Sequence, residues 1–239
     1  MQFNVSKCNV MSVTRKTKKN RVGFTYRMSG EKLQRSNSEK YLGVTLNNKL
    51  EWGEHIDNIC GTTSRLLGFL RRAMHRCPPH LKDKAYKTLI RPRLEYCCCI
   101  WDPHHKKYND KLEMVQRRAA RFVTNNPRKR SSLQPSVSAM VDKLGWEPLA
   151  ERRRRSRITM MFKTVRGMVE IPRSYLPPDQ QREGGRGHSE QYLQVQPALD
   201  AYKHAFIPRT VVDWNALPAD VVAEKSLDGF KRSLSSVRQ

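Results

Sequence analysis

The chain has 239 residues, of which 46 are Lys or Arg and 22 are Asp or Glu, a formal net charge of +24, and only 38% are hydrophobic. That length supports one or two domains with real but modest cores, and no apolar run approaches the roughly 18 residues of a membrane-spanning helix. An integral membrane protein and a disulfide-stapled secreted miniprotein are excluded, and so large a positive surplus selects a polyanionic partner, nucleic acid ahead of an anionic membrane surface.

Residues 1–50 read as strands. The alternating, β-branched run at 8–14 and the run at 24–28 predict two of them, joined by the basic stretch 15–19 and followed by a Ser29-Gly30 turn. Residues 40–46 predict a third, with Gly43 marking a bulge or a close backbone approach. From Trp52 the period becomes helical, through Ile56, Ile59, Thr63, Leu66, Leu67, Leu70 and Met74. Arg71, Arg72 and Arg76 crowd the C-terminal end of this helix, where the helix dipole favours cations. Pro78-Pro79 closes it and opens the next, which carries Leu81, Ala85, Leu89 and Ile90 and which Pro92 kinks or breaks before 94–101. A third helix holds Leu112, Val115, Ala119 and Phe122. At about 100° per residue, Arg117 and Arg121 fall opposite that stripe and Arg118 on its flank. Short connections predict an antiparallel bundle.

Residues 124–135 form a basic, turn-rich linker. A short helix over 136–144 precedes Gly145-Trp146, and a longer one runs over 147–168. The polar segment 176–191 is expected to be mobile. An extended piece at 207–210 leads to Trp214, and a final helix takes Ser226 as its N-cap. The expected fold is α+β: a small antiparallel strand region over 1–50, a mostly α-helical bundle over 51–125, and a basic helical C-terminal region over 126–239.

The six cysteines stand at 8, 60, 77, 97, 98 and 99. Three in a row make no tidy disulfide framework, so reduced thiols in the nucleus or cytoplasm are expected rather than secretion. Cys77 and His80 have ligand-like spacing, and Cys99 precedes His104 and His105. A zinc site needs four converging ligands, however, and Cys97 to Cys99 lie among Leu94, Tyr96, Ile100 and Trp101, a context for small buried hydrophobes. No metal site is expected.

Positive charge is concentrated. Residues 1–50 hold eleven basic and two acidic residues, and residues 117–166 hold fourteen and three. The densest point is Arg152, Arg153, Arg154 and Arg155, followed by Arg157. Four consecutive helical residues sweep about 300°, so these guanidiniums cannot share one solvated face. Arg154 falls in line with Ile158, Met161 and Val165, and the only acids close in sequence are Glu147 and Glu151. Some of these arginines must snorkel past the core or meet an external polyanion. Phosphate suits the planar guanidinium fork, without conferring base specificity.

Catalytic motifs are lacking. There is no Walker loop, no dinucleotide-binding glycine pattern after a strand, no G-x-S-x-G and no H-E-x-x-H. Gly184-Gly185-Arg-Gly187 lies in the polar segment, and Asp102-Pro-His104-His105 reads as a helix-ending turn ahead of a hydrolase pair. No two aspartates are adjacent, so the clustered carboxylates of two-metal nucleotidyl transfer are missing.

An ordered series of segments nevertheless carries a resemblance. It runs through Phe3-Asn-Val-Ser-Lys-Cys8, Lys40-Tyr-Leu-Gly-Val44, Leu50-Glu-Trp52, His55-Ile56, Leu67-Gly-Phe-Leu-Arg-Arg72, Ala85-Tyr-Lys-Thr88, Arg91-Pro92, Leu94-Glu-Tyr96 and Trp101-Asp-Pro103. It continues through Leu112-Glu113, Val115-Gln-Arg-Arg-Ala-Ala-Arg-Phe122, Leu144-Gly-Trp146, Pro208-Arg-Thr210 and Trp214-Asn-Ala-Leu-Pro218. The chain resembles, over roughly residues 3–235, the C-terminal part of reverse transcriptases of non-long-terminal-repeat retrotransposons of the jockey-like group. The resemblance implies the last palm strands, a primer-grip hairpin at Tyr41, Leu42 and Gly43, a helical thumb and a trailing region. Lys7 would match the palm lysine that can assist pyrophosphate departure. The family's paired aspartates, which hold Mg²⁺ for RNA-templated DNA synthesis, would lie upstream of Phe3, so this chain alone is expected to need no cofactor and to lack polymerase activity. The partner implied is RNA or DNA, a template–primer duplex held by its backbone at Arg71, Arg72, Arg117, Arg118, Arg121, Arg152, Arg153, Arg154, Arg155 and Arg157, with no membrane partner. Two rival readings are an autonomous basic nucleic-acid-binding module and a decayed fragment with unpaired strand edges.

Overall fold

The computed structural model describes residues 4–14, 24–126, 136–178, 188–196 and 200–237. The connector at 15–19, much of the basic linker, Gly184 to Gly187 and most of the segment expected to be mobile lie outside the described residues. The fold is α+β, with small strands near the N-terminus and helices thereafter. The chain divides into two compact units, Met1–His75 and Arg76–Gln239. The division falls after the first long helix, not at residue 50.

In the first unit, a 3-10 turn at Val5–Lys7 is capped by the Asn4 side chain, which accepts from the Ser6 amide at 3.1 Å. The strands that follow are short. β1 (Asn9–Val10) pairs in parallel with β4 (Gln34–Arg35), while β2 (Arg27–Met28) and β3 (Glu31–Lys32) form an antiparallel hairpin. β5 (Ser38–Tyr41) and β6 (Val44–Asn47) form a longer one, with Ser38 opposite Asn47 and Tyr41 opposite Val44. Residues 40–46 are thus two strands, not one strand with a bulge. Leu42 and Gly43 both take positive φ, 46° and 86°, which is the twist a two-residue hairpin turn demands.

Helix α1 (Gly53–Ala73) packs its N-terminal turn on this second hairpin. Ser38 donates to Glu54 at 2.7 Å, and the Thr45 amide donates to Nδ1 of buried His55 at 3.2 Å. His55, Ile56, Thr63, Leu67 and Leu70 form the buried face of α1, while Arg71 and Arg72 are exposed in its last turn. Burial, aided by the Lys40 charge, holds the His55 pKa below the usual 6.5. The unfolded chain therefore takes the proton first as pH falls. Stability from this contact is full above about pH 6.5 and declines below it. The protection factor of the Thr45 amide, taken relative to its intrinsic exchange rate at each pH, should fall on acidification through that range, and His55→Gln should remove this pH dependence of the protection factor. A flat profile in the parent chain would refute the coupling.

The second unit begins with α2 (Pro79–Ala85), a π-helical turn at Tyr86–Ile90, and α3 (Arg91–Glu95). Pro92 does not break the path, which is helical without interruption from Pro79 to Glu95. It sits in the first turn of α3, and the π turn ahead of it, closed by Arg91 N–H donating to the Tyr86 carbonyl, absorbs the missing donor. A single turn, α4 (Cys98–Trp101), leads to Asp102 and then to α5 (Lys106–Val123). The predicted stripe of α5 is buried at Leu112, Val115, Ala119 and Phe122, joined by Gln116, Ala120 and Val123. Helix α6 (Val137–Lys143) is capped by Ser136, which accepts from the Ala139 amide at 3.2 Å. Gly145, at φ 63°, ends it and delivers Trp146 inward. Trp146 stacks on Tyr86 at 3.8 Å and donates to Asp83 at 2.8 Å, and the Tyr86 hydroxyl donates to Gln116 at 2.6 Å.

The remaining helices are α7 (Leu149–Val165), α8 (Asp200–Lys203), α9 (Phe206–Asn215), α10 (Ala219–Val222) and α11 (Leu227–Ser236). Residues 207–210 are helical rather than extended. Pro208 is tolerated because the first turn of α9 leaves its amide position without an intrahelical partner. Ser226 caps α11 by accepting from the Gly229 amide at 3.0 Å. A core of Ile158, Met161, Phe162, Val211, Trp214, Leu217, Val221, Val222, Phe230 and Leu234 joins these elements, with Phe162 stacked on Phe230 at 4.2 Å.

Candidate nucleic-acid interface

Helix α5 sorts its side chains cleanly. The apolar stripe anchors it, and the opposite surface carries exposed Arg117 and Arg118 and half-buried Arg121. These three line a cleft of about 500 Å³ with Met114, Val137 and Ser138, between α5 and the start of α6. Arg118 lies 3.3 Å from the Met114 sulfur, and among the described residues no carboxylate pairs with Arg117, Arg118 or Arg121. Guanidiniums one helical turn apart, with free donors in a concave wall, can clamp successive phosphates of a backbone.

The arginines of α7 behave differently. Arg153 is 0% exposed and Arg157 2%. Asp102 accepts from Arg153 Nε at 2.8 Å on one oxygen and from Arg157 Nε at 2.9 Å on the other, with Arg209 3.1 Å from that second oxygen. Arg157 also reaches Asp213 at 3.0 Å, and Arg154 meets the other Asp213 oxygen at 3.0 Å and Glu151 at 3.3 Å. Arg152 pairs with Glu95 and Glu147, and Arg155 with Glu147 and Glu151. Arg153 and Arg157 are therefore removed from the set expected to meet a polyanion. Their charge is answered inside the fold, so the idea that too few acids lie nearby does not hold in three dimensions. Glu147 and Glu151 are local, but Glu95, Asp102 and Asp213 come from 51 to 59 residues away, on other helices and connections, and no local sequence signal announces these three. Arg152, Arg154 and Arg155 keep partial exposure but are held in ion pairs. Asp102, weighed with His104 and His105 as a hydrolase pair, is instead the anchor of this network, while His104 stacks on His204 at 4.0 Å.

The first unit holds the other residues singled out in the sequence. Lys7 is exposed in the 3-10 turn rather than on a strand. Tyr41 and Leu42 stand 66% and 73% exposed at the tip of the β5–β6 hairpin beside Gly43. Arg71 and Arg72 are exposed at the end of α1.

The Mg²⁺ that the resemblance implies for a complete polymerase finds no fit in these residues. Among the described residues no three His, Cys, Asp or Glu side chains converge to hold a metal ion, and both oxygens of the buried Asp102 are taken by guanidiniums. No helix of the described residues is long and apolar enough to cross a membrane. No protein-family model, curated protein or solved structure matches the chain.

Proposed function

We propose that the chain binds the sugar–phosphate backbone of an RNA or DNA duplex through Arg117, Arg118 and Arg121, as the thumb-bearing C-terminal part of a reverse transcriptase of the non-long-terminal-repeat retrotransposon type. The observation that carries this reading is the contrast between two arginine clusters. Those of α7 are neutralised by internal acids, whereas those of α5 face a cleft with no acid partner among the described residues. The net charge of +24 adds a long-range attraction for any polyanion. The hairpin tip at Tyr41, Leu42 and Gly43 would contact the primer end, and Lys7 would serve only beside a palm that carries the family's paired aspartates. On this reading the chain alone would perform no nucleotidyl transfer, and among the described residues no carboxylate cluster is present to hold two metal ions.

A salt titration of labelled-duplex binding tests the reading. Three phosphate contacts give a log–log slope on the order of −2 to −3. Absence of binding at low salt, or a flat slope, would refute it. Primer extension with Mg²⁺ should yield no product, and template-dependent synthesis by this chain would overturn the assignment as a non-catalytic part.

A further inference from the structure

The β2–β3 hairpin of the first unit leaves its aromatic side chains in water. Ser29 and Gly30, at φ 51° and 84°, supply the two positive-φ positions of a tight hairpin turn, which sets Arg27 opposite Lys32 and Met28 opposite Glu31. The pairing continues beyond these residues, since the Leu33 amide donates to the Tyr26 carbonyl at 2.9 Å and the Arg35 guanidinium donates to the Phe24 carbonyl. Alternation along the strand therefore puts Phe24 and Tyr26 on one face, with Arg35 across from Phe24, and puts Arg27 and Lys32 on the other. The two rings meet edge to face with centroids 4.9 Å apart, yet they stand 61% and 48% exposed. Contact with each other leaves most of their apolar surface unspent.

The charges around these rings select the partner. From Phe24 to Arg35 the chain carries three basic residues, Arg27, Lys32 and Arg35, against one acid, Glu31. Arg27 and Lys32 stand directly opposite each other, an arrangement that repels, and among the described residues no ion pair relieves it. Arg27 donates to the Gly30 carbonyl at 3.0 Å, but a guanidinium has five N–H donors, so it and Arg35 keep others to give. An apolar protein segment laid on the rings would leave the repulsion in place, whereas a phosphate backbone removes it. We propose that this hairpin binds single-stranded RNA or DNA: unpaired bases stack on Phe24 and Tyr26, Arg35 holds the adjoining phosphate, and the Arg27–Lys32 pair adds attraction from the ribbon's other face. Every base has a flat π face, so such stacking is tolerant of sequence, and a duplex, whose bases already stack on one another, cannot use it. The α5 arginines take a backbone and the hairpin takes exposed bases, so this site goes beyond the duplex reading and stands whether or not α5 holds a duplex.

The whole chain is titrated with a labelled blunt duplex, with the same duplex carrying a short single-stranded extension, and with one whose extension is abasic, which adds phosphates without bases. The natural extension should bind on the order of tenfold more tightly than the abasic one, through base–aromatic stacking. Phe24→Leu/Tyr26→Leu keeps apolar bulk but removes the rings, and should erase that difference while leaving blunt-duplex affinity unchanged. Phe24→Trp/Tyr26→Trp should preserve it. A free single strand and its abasic counterpart give the same readout with no duplex present, so failure of this site and failure of the α5 reading are told apart. Equal affinity for natural and abasic strands in the parent chain, which needs no variant to fold, would overturn the proposal. So would a base-dependent difference that survives the leucine variant. Self-association of the parent chain in sedimentation that the leucine variant abolishes would also overturn it, because a second copy would then cover the aromatic face.

Discussion

Asp102→Asn is expected to destabilise the Arg76–Gln239 unit by about 3–5 kcal/mol, a large share of the roughly 5–15 kcal/mol that holds an ordinary domain together. The reason is asymmetry. A buried ion pair adds little over a well-packed apolar one, but removing one partner strands the other. Here one carboxylate answers Arg153 and Arg157, at 0% and 2% exposure, and half-exposed Arg209. Without its charge, two guanidiniums remain in the interior where water cannot replace the partner. Urea denaturation of the whole chain measures the loss. Asp213→Asn should cost less, since its side chain is 23% exposed and solvent can stand in. A change below about 1 kcal/mol for Asp102→Asn would show that the network relaxes and that the buried charges find other partners.

The second large effect concerns affinity. Arg117→Gln/Arg118→Gln/Arg121→Gln should leave stability nearly unchanged, because among the described residues these side chains have no acid partner to strand. Duplex binding should weaken strongly, and the log–log salt slope should lose about 2–3 units, one near 0.9 for each phosphate released. The loss should be uniform across sequences, since backbone contacts do not read bases. Arg152→Gln/Arg155→Gln is the contrasting pair: it should cost stability through Glu95 and Glu147 and change the slope little. An unchanged slope in the α5 variant would move the interface elsewhere on the molecule.

The two arginine groups also mark how far the sequence could be read. The α5 stripe was legible because Leu112, Val115, Ala119 and Phe122 recur at helical spacing; the same arithmetic placed Arg117 and Arg121 opposite it and Arg118 on its flank, and of these Arg117 and Arg118 are exposed and Arg121 half-buried. The Ser226 cap was legible for the same local reason: a hydroxyl preceding a helix satisfies an amide that the helix leaves open. The fate of Arg153 and Arg157 was not legible, because their partner acids sit on parts of the chain brought near only by packing. Periodicity put Arg154 on the buried stripe, whereas Arg153 and Arg157 are the residues enclosed. Two proline readings failed for a shared reason. Pro92 was read as kinking or breaking its helix and residues 207–210 as extended, yet the chain is helical through both prolines, each in a first turn, where a missing donor costs little. In the residue pattern the hairpin at Leu42 and Gly43 was obscured because Tyr41, Leu42, Val44, Thr45 and Leu46 read as one run of strand formers, and the positive backbone angles at Leu42 and Gly43 mark the reversal.

Asp102 has one further consequence. It lies in the connection between α4 and α5, and its guanidinium partners belong to α7 and α9, segments far apart in the chain. Any one of these elements that swings away leaves the others holding uncompensated charge in a dry interior. Partial opening is penalised more than the loss of a single contact would suggest, so these helices are bound to separate together or not at all. One buried acid thereby sets the size of the cooperative block in this unit.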